Sequence, residues 1–117
     1  MNRKTIIGKY GENVAEKYLL KNKYHIIKRN FYCKMGEIDI IAEKDGKIIF
    51  IEVKTRTNLK YGTPAEAVSL SKIKKIKKAA QYYMLKNQIE SKLIRFDVIE
   101  IYIKESKIFL NHIKQIM

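Results

Sequence analysis

The chain has 117 residues and a formal net charge of +13, and these two values already limit what it can be. This length suits one domain with a single hydrophobic core, and an apolar content of 46% favours a folded globule over a disordered tail. No apolar run approaches the ~20 residues of a membrane-spanning helix. We therefore predict a single domain over residues 1–117 with no membrane partner.

The basic excess predicts a polyanionic partner: nucleic acid first, an anionic membrane surface second. Most of the 25 basic residues are lysine, and such a composition can also reflect AT-rich coding, so the charge favours nucleic acid without establishing it. The single Cys33 cannot form an internal disulfide, and the N-terminus turns charged too soon for a secretory signal peptide. Both features predict a cytoplasmic protein.

Hydrophobic periodicity predicts two helices and five strands. The first helix is expected over residues 9–22, with an apolar stripe that includes Tyr10, Val14 and Tyr18. The second runs from a cap at Ser71 to Lys86, and its apolar positions at helical spacing are Ile73, Ile76, Ala80 and Tyr83. Between the third strand and the second helix we expect a loop with a short helical turn after Pro64, the one proline of the chain. The strands are predicted at residues 24–29, 35–43, 47–55, 93–103 and 107–112.

The order of these elements predicts an α/β fold with a mixed five-stranded sheet flanked by helices. The first three strands are joined by short connections and should run as an antiparallel meander. The third and fourth are joined through a helix, which implies a right-handed parallel crossover. The strongly apolar third and fourth strands fit central positions in the sheet.

The third strand carries two charged residues that need an explanation. Successive side chains of a strand point to opposite faces, so Glu52 and Lys54 share one face while Ile51 and Val53 point to the other. The strand is otherwise strongly apolar and should be buried. Because unpaired buried charge is costly, the two groups must be paired, solvated or bound to a cation.

The second strand repeats this pattern. Glu37 and Asp39 are expected on one face, opposite Ile38 and Ile40. A short turn at residues 44–46 connects this strand to the third. We therefore predict that Asp39 comes close to the charged residues of the third strand.

Six motifs in a defined order cover nearly the whole chain: GENVAEKYL (11–19), RNF (29–31), GEIDIIA (36–42), FIEVKTR (50–56), YGTPAEAV (61–68) and RFDVIEI (95–101). Together they resemble the YraN-like family of small bacterial proteins, within the PD-(D/E)xK superfamily. They are also similar to archaeal Holliday junction resolvases. The resemblance implies a restriction-endonuclease-like αβββαβ core and a metal-dependent nuclease that hydrolyses phosphodiester bonds of DNA, branched or single-stranded.

Phosphodiester hydrolysis needs an activated water and compensation of the phosphate charge. Asp39 and Glu52 offer the oxygen ligands that Mg²⁺ (or Mn²⁺) prefers, and the resemblance implies the carbonyl of Val53 as a third ligand. Lys54 could orient the water or neutralise developing charge. Glu12 matches a helical glutamate of the resolvase pattern and is a candidate to complete the site.

A second group of residues is placed around this centre. Glu37 is a candidate further acid because it shares the face of Asp39. The candidate nucleic-acid contacts are Arg56, Lys72, Lys75 and Gln81.

Each assignment has a structural alternative. Glu52 and Lys54 could be an ion pair on an edge strand, and Asp39 an ordinary hairpin acid. Glu12 could be an exposed acid stabilised by the helix dipole, and the lysines simply a solvated helix face. At the level of function, the alternative is a catalytically silent nucleic-acid-binding or scaffolding domain of the same fold. A homodimer, with a site completed by the partner, is a further possibility.

Overall fold

The computed structural model of the protein describes residues 3–57, 70–90 and 93–116. These residues form two α-helices and five strands in the predicted order. The elements are α1 (Arg3–Lys21), β1 (His25–Cys33), β2 (Gly36–Lys44), β3 (Lys47–Arg56), α2 (Leu70–Asn87), β4 (Ile94–Lys104) and β5 (Lys107–Ile113).

The five strands form one mixed sheet in the order β1-β2-β3-β4-β5. All neighbours are antiparallel except β3 and β4, which run parallel. Each helix packs on its own hydrophobic cluster, α1 through Ala15 and Leu19 and α2 through Ile76 and Tyr83. Alternate residues of β3 contribute to the two clusters, so the helices cover opposite faces of the sheet. The predicted α/β class, with its restriction-endonuclease-like element order, is confirmed.

The first helix differs most from its sequence prediction. It begins at Arg3, six residues before the predicted start. Tyr10 was expected in its apolar stripe but is exposed, whereas Ala15 and Leu19 are fully buried. Ile6 and Tyr10 are exposed and therefore lie outside the part of α1 that packs on the core.

The second helix keeps its predicted apolar stripe, since Ile76, Ala80 and Tyr83 are buried. It begins at Leu70, so Ser71 lies inside it and the predicted cap at Ser71 is wrong. The turn predicted after Pro64 lies outside the described residues.

Strand alternation is interrupted near the middle of β1 and β2. Ile38 packs in the α2 cluster but Ile40 packs in the α1 cluster, so the prediction that they share a face is wrong. The paired strand shows the same change, because Phe31 packs towards α2 while Arg29 bonds to side chains of α1. Asn30, between them, has a positive φ of 52°, a conformation that asparagine tolerates better than most residues.

The pairing of β2 with β3 ends at this interruption. The last paired residues are Ile40 and Ile51, although β2 remains paired with β1 as far as Gly36. In the same way, β3 remains paired with β4 as far as Arg56. The first half of β2 and the second half of β3 are therefore not hydrogen-bonded to each other as a ladder, and the sheet opens between them.

A buried acid on β4, Asp97, shows how this fold satisfies a charge. It accepts two hydrogen bonds from Arg95, at 2.9 and 2.7 Å, and lies 2.6 Å from His112 Nε2. His112 in turn contacts the Tyr18 hydroxyl at 2.8 Å, and Arg95 donates to the Tyr24 hydroxyl. Burial alone would raise the pKa of Asp97, but the bonds from His112 and Arg95 outweigh it and lower that pKa.

Close packing of α1 on β3 makes glycine necessary at position 11. A Cβ added there would lie 1.7 Å from Thr55 Oγ1 and 2.9 Å from Thr55 Cβ. We expect Gly11→Ala to lower the free energy of unfolding by about 1–3 kcal/mol, measured by urea denaturation, because α1 must move away from the sheet.

The matched control is Gly8→Ala, one turn earlier on the same helix, where an added Cβ meets no atom of the described residues within 4 Å. It should stabilise the protein by roughly 0.5–1 kcal/mol through helix propensity alone. Equal effects of the two substitutions would contradict the packing of α1 described above.

Candidate active site

The candidate site lies where β2 and β3 separate. Asp39 and Glu52 are both buried there, one on each strand. The backbone N–H of Val53 donates to Asp39 Oδ2 at 2.8 Å. The Asp39 carboxylate thus accepts the kind of backbone hydrogen bond that a carbonyl of β2 would accept if the β2–β3 ladder continued beyond Ile40 and Ile51. This bond holds Asp39 next to residues 52–54 of β3.

Glu52 lies between two ammonium groups. Its Oε1 is 3.4 Å from Lys72 Nζ on α2 and 3.8 Å from Lys54 Nζ on β3. Its other oxygen, Oε2, is buried and has no hydrogen-bond partner among the described residues. One carboxylate oxygen is therefore paired and the other is left without the hydrogen bond that a buried acceptor normally has.

The electrostatics of the pair follow from burial and from the proximity of like charges. Burial, then the neighbouring Glu52, raise the pKa of Asp39 to about 8, although the Val53 N–H opposes the shift. Burial also raises the pKa of Glu52, against the opposing charges of Lys72 and Lys54. Burial lowers the pKa of Lys72, but the carboxylates of Glu52 and Asp39 outweigh it and raise that pKa. Without further positive charge, the two acids resist full ionisation.

This donor set fits a divalent cation. Two carboxylates on neighbouring strands, one with a free buried oxygen, supply hard oxygen ligands, and Mg²⁺ commonly binds through one or two carboxylates while keeping several waters. Val53, whose carbonyl is the third predicted ligand, directly follows Glu52 in the chain. Among residues 3–57, 70–90 and 93–116, no cluster of three or more acidic, histidine or cysteine side chains is suited to a metal, so solvent and backbone would complete the coordination.

The two further acids predicted for the site lie at its edge. Glu12 forms an ion pair with Arg29, Oε1 to Nη2 at 3.2 Å, and its charge contributes to the raised pKa of Asp39. Glu37 in the same way contributes to the raised pKa of Glu52. Both line a cleft of about 250 Å³, which Asn30, level with Asp39 on the neighbouring strand, also lines. Glu12 is therefore near the centre but held by a structural ion pair.

The predicted nucleic-acid contacts divide into two groups. Lys72 reaches the carboxylates, and Lys75, one turn further along α2, is exposed with its backbone beside Gly36. Arg56 ends β3, and its buried Nε lacks a hydrogen-bond partner within the described chain. Gln81 lies about 13 Å from Lys72 along the helix axis, in a groove with residues near the end of α2. The fold thus separates Gln81 from the carboxylates.

Sequence reasoning missed two features of the site. Lys72 was predicted to contact nucleic acid or else to lie on a solvated helix face, but it is the closest cation to Glu52 in the described chain. The cleft beside the pair was not anticipated, because its wall at Gly8 comes from a part of α1 that was predicted to precede the helix. The one signal in the sequence that could have led to Lys72 was Glu52, an acid in an otherwise apolar strand that needs a positively charged partner.

These features define a small α/β protein whose mixed sheet opens at a buried pair of carboxylates. The chain belongs to the family described as uncharacterised protein family UPF0102, which matches residues 11–101; this is the YraN family expected from its motifs.

Its relatives match over most of their length. The chain is 51% identical over 106 residues to a UPF0102 protein of Clostridioides difficile (strain 630), covering 91% of each. It is 44% identical over 117 residues to one of Caldanaerobacter subterraneus, covering 100% of this chain and 95% of the relative. The solved structure of SSO0001 is 21% identical with a TM-score of 0.42; the match covers 97% of this chain and 53% of that protein. The fold assignment rests on this chain's own topology.

Within the described residues, neither helix combines the length and apolar character needed to cross a membrane.

In the cation-free protein, the raised pKa of Asp39 makes stability depend on pH. The pKa of this carboxyl is 3.8 when unperturbed and about 8 in the folded protein. Between these two pH values the folded state therefore binds more protons than the unfolded state. The contribution of the neutral carboxyl to the free energy of unfolding is fully present below about pH 4 and is lost as the pH rises through about 8. We expect the free energy of unfolding to fall by at most about 1.4 kcal/mol per pH unit for this proton.

Asp39→Asn should flatten that slope in urea denaturation, because asparagine cannot ionise but can still accept the Val53 N–H. The control is Asp45→Asn, an exposed acid in the β2–β3 turn, which should keep the slope of the native sequence. The lowered pKa of Asp97 acts below this pH window. If the free energy of unfolding of the native sequence does not fall between about pH 4 and about pH 8, Asp39 is not a neutral buried carboxyl.

Proposed function

We propose that the protein is a Mg²⁺- or Mn²⁺-dependent nuclease that hydrolyses phosphodiester bonds of DNA, with Asp39 and Glu52 as cation ligands. The observation that carries the proposal is the incompletely satisfied carboxylate pair. Asp97 shows that this fold can fully satisfy a buried acid, whereas Glu52 keeps a buried oxygen without a partner in the part of the chain that the structure describes, and Asp39 has a raised pKa. Such a pair costs stability unless a cation relieves it, which is typical of a site kept for function.

The chain's own residues have distinct roles in this proposal. Asp39 and Glu52 hold the cation, with the Val53 carbonyl beside them. Lys54 and Lys72 are each partly exposed and lie within 4 Å of Glu52 Oε1, so either ammonium can turn to a phosphate oxygen once the cation neutralises Glu52. When bound, the cation would supply Lewis-acid stabilisation of the phosphate and a more acidic water.

Substrate positioning falls to the basic surface around the pair. Lys75 and Arg56 flank it on α2 and β3, and the net charge of +13 supports binding to a polyanion. Phosphate contacts of this kind position a strand without reading its sequence. The single Cys33, free of any disulfide, supports a reducing compartment such as the cytoplasm.

One observation favours the alternative of a catalytically silent DNA-binding domain. Lys54 and Lys72 already compensate Glu52 without a metal, as in a purely structural ion-pair cluster. The two functions differ in cation dependence, because a structural cluster has no need of Mg²⁺. A cleavage panel of duplex, single-stranded, flap and four-way-junction DNA plus RNA, with Mg²⁺, Mn²⁺ or chelator, separates them.

In that panel we expect Glu52→Gln to lower the cleavage rate by at least about a hundredfold while leaving DNA affinity equal or higher. The change removes a cation ligand and its repulsion of phosphate but keeps the shape of the side chain. Lys54→Ala should lose cleavage and also bind DNA more weakly, since it deletes a positive charge.

The matched control is Glu43→Gln, the same charge change at an exposed position of β2, which should cleave like the native sequence. If the native protein cuts nothing with either metal, the silent-domain alternative stands. If Glu52→Gln cleaves as well as the native protein, the activity does not come from this site.

DNA binding should depend on salt and not on sequence. We expect affinity to fall at least about tenfold between about 50 and 200 mM salt, because lysine contacts to phosphate release counterions. Lys75→Ala should weaken binding to all sequences alike, whereas Lys47→Ala, at the distant β2–β3 turn, should change it less. Fluorescence anisotropy with several unrelated oligonucleotides measures this, and salt-independent binding would contradict it.

A further inference from the structure

A cleft separates the first half of α1 from β1 and β2, and it opens beside the carboxylate pair. Its volume is about 250 Å³. Its lining residue Asn30 lies on β1 between Arg29 and Phe31, which pair with Ile40 and Ile38 of β2, so Asn30 is level with Asp39 on the neighbouring strand. A second lining residue, Glu37, is two residues before Asp39 on β2. A group bound in the cleft would therefore lie next to a phosphate held at the pair. The lining residues are Gly8, Lys9, Glu12, Asn30, Tyr32 and Glu37.

Tyr32 provides an unpacked aromatic face in this cleft. Its side chain is 67% exposed, although it belongs to a strand of the sheet. Its neighbour Phe31 is buried and contacts the rings of Tyr82 and Tyr83, whereas Tyr32 makes no ring contact within the described residues. A large exposed ring at the edge of a cleft gains most when a flat apolar surface covers it.

Gly8 faces the same cleft, and the described chain gives no internal reason for a glycine there. It lies inside α1, where glycine lowers helix stability relative to alanine. Gly11 is explained by the close approach of Thr55, but a Cβ at Gly8 would meet nothing within 4 Å. The missing side chain leaves free space between α1 and Tyr32, as a thin planar ligand requires.

The polar groups of the cleft favour a neutral ligand over a phosphate. Glu12 and Glu37 would repel a phosphate placed in the cleft itself. The Asn30 side chain offers both a donor and an acceptor, which suits the edge of a nucleobase. Lys9 is exposed at the rim, where it can contact a backbone phosphate.

We propose that this cleft binds an unpaired nucleobase next to the phosphate held at the carboxylate pair, with the base stacked on Tyr32 and accommodated by Gly8. The proposal rests on the proposed nuclease function and narrows its substrate to a strand with at least one unstacked base. A base inside a duplex cannot reach the cleft without flipping out of the stack. Single-stranded or splayed nucleic acid presents such bases directly.

The test measures affinity in the Glu52→Gln background without metal, so that cleavage does not interfere. Fluorescence anisotropy compares a single-stranded DNA, the same sequence as a duplex, and a single-stranded RNA. We expect Tyr32→Ala to weaken single-strand binding about fivefold to a hundredfold, while Tyr32→Phe stays within about twofold because it keeps the stacking face. Comparison of single-stranded DNA with single-stranded RNA shows which nucleic acid supplies the base. The loss of affinity in Tyr32→Ala should appear with whichever of the two binds more tightly.

Gly8→Ala should also weaken single-strand binding while raising the melting temperature, a combination that a merely structural role would not produce. Duplex affinity should change little in all these variants. Phe109→Ala is the matched control, since Phe109 is an aromatic residue 53% exposed on β5, at the opposite edge of the sheet from β1.

The proposal is overturned if Tyr32→Ala or Gly8→Ala leaves single-strand affinity unchanged, or if either weakens single strands and duplex equally. It is also overturned if the Glu52→Gln protein with Tyr32 intact binds duplex DNA as tightly as single-stranded DNA. Each of these results leaves the nuclease proposal intact, because cleavage by the native protein is measured separately. Absence of both binding and metal-dependent cleavage would remove the two proposals together.

Discussion

The hydrogen bond from the Val53 N–H to the Asp39 carboxylate is the interaction on which the rest of the site depends. It forms where the β2–β3 ladder has ended, and it satisfies a backbone donor that would otherwise be buried without a partner. By holding Asp39 beside β3, it places two acids close together in a region of low solvent access. The raised pKa of Asp39, the two lysines around Glu52 and the unpartnered Glu52 oxygen all belong to this arrangement.

Comparison of the two buried acidic centres shows why one is structural and the other is a candidate site. Asp97 receives bonds from Arg95, His112 and the backbone of Gln115, and its pKa is lowered. It links β4 to the end of β5 and, through His112, to α1. The Asp39–Glu52 pair has incomplete compensation and raised pKa values instead. Since the same fold contains both solutions, incomplete compensation at the second centre is a local feature that a cation can relieve.

Much of this architecture can be predicted from the sequence. Alternation in β3 correctly places Glu52 and Lys54 on one face, and the short connection at Asp45 gives the antiparallel hairpin. The same rule fails for Ile38 and Ile40, because alternation is interrupted in both β1 and β2 near Asn30, and no period-2 pattern encodes an interruption. Lys72 and the early start of α1 were missed for another reason: helix position relative to the sheet is set by tertiary packing. The cleft beside the pair depends on the early start of α1, which supplies Gly8, and on the position of Asn30 in β1.

Calorimetric titration with Mg²⁺ at several pH values shows whether Asp39 and Glu52 form a divalent-cation site. Because burial and Glu52 raise the pKa of Asp39 to about 8, cation binding must displace a proton near neutral pH. We therefore expect the affinity for Mg²⁺ to increase from about pH 6 to about pH 8.5 and binding to release protons, as measured in buffers of different ionisation enthalpy. Both effects should be lost in Glu52→Gln but not in Glu43→Gln. No Mg²⁺ or Mn²⁺ binding at about pH 8.5, or binding that survives Glu52→Gln unchanged, would contradict it.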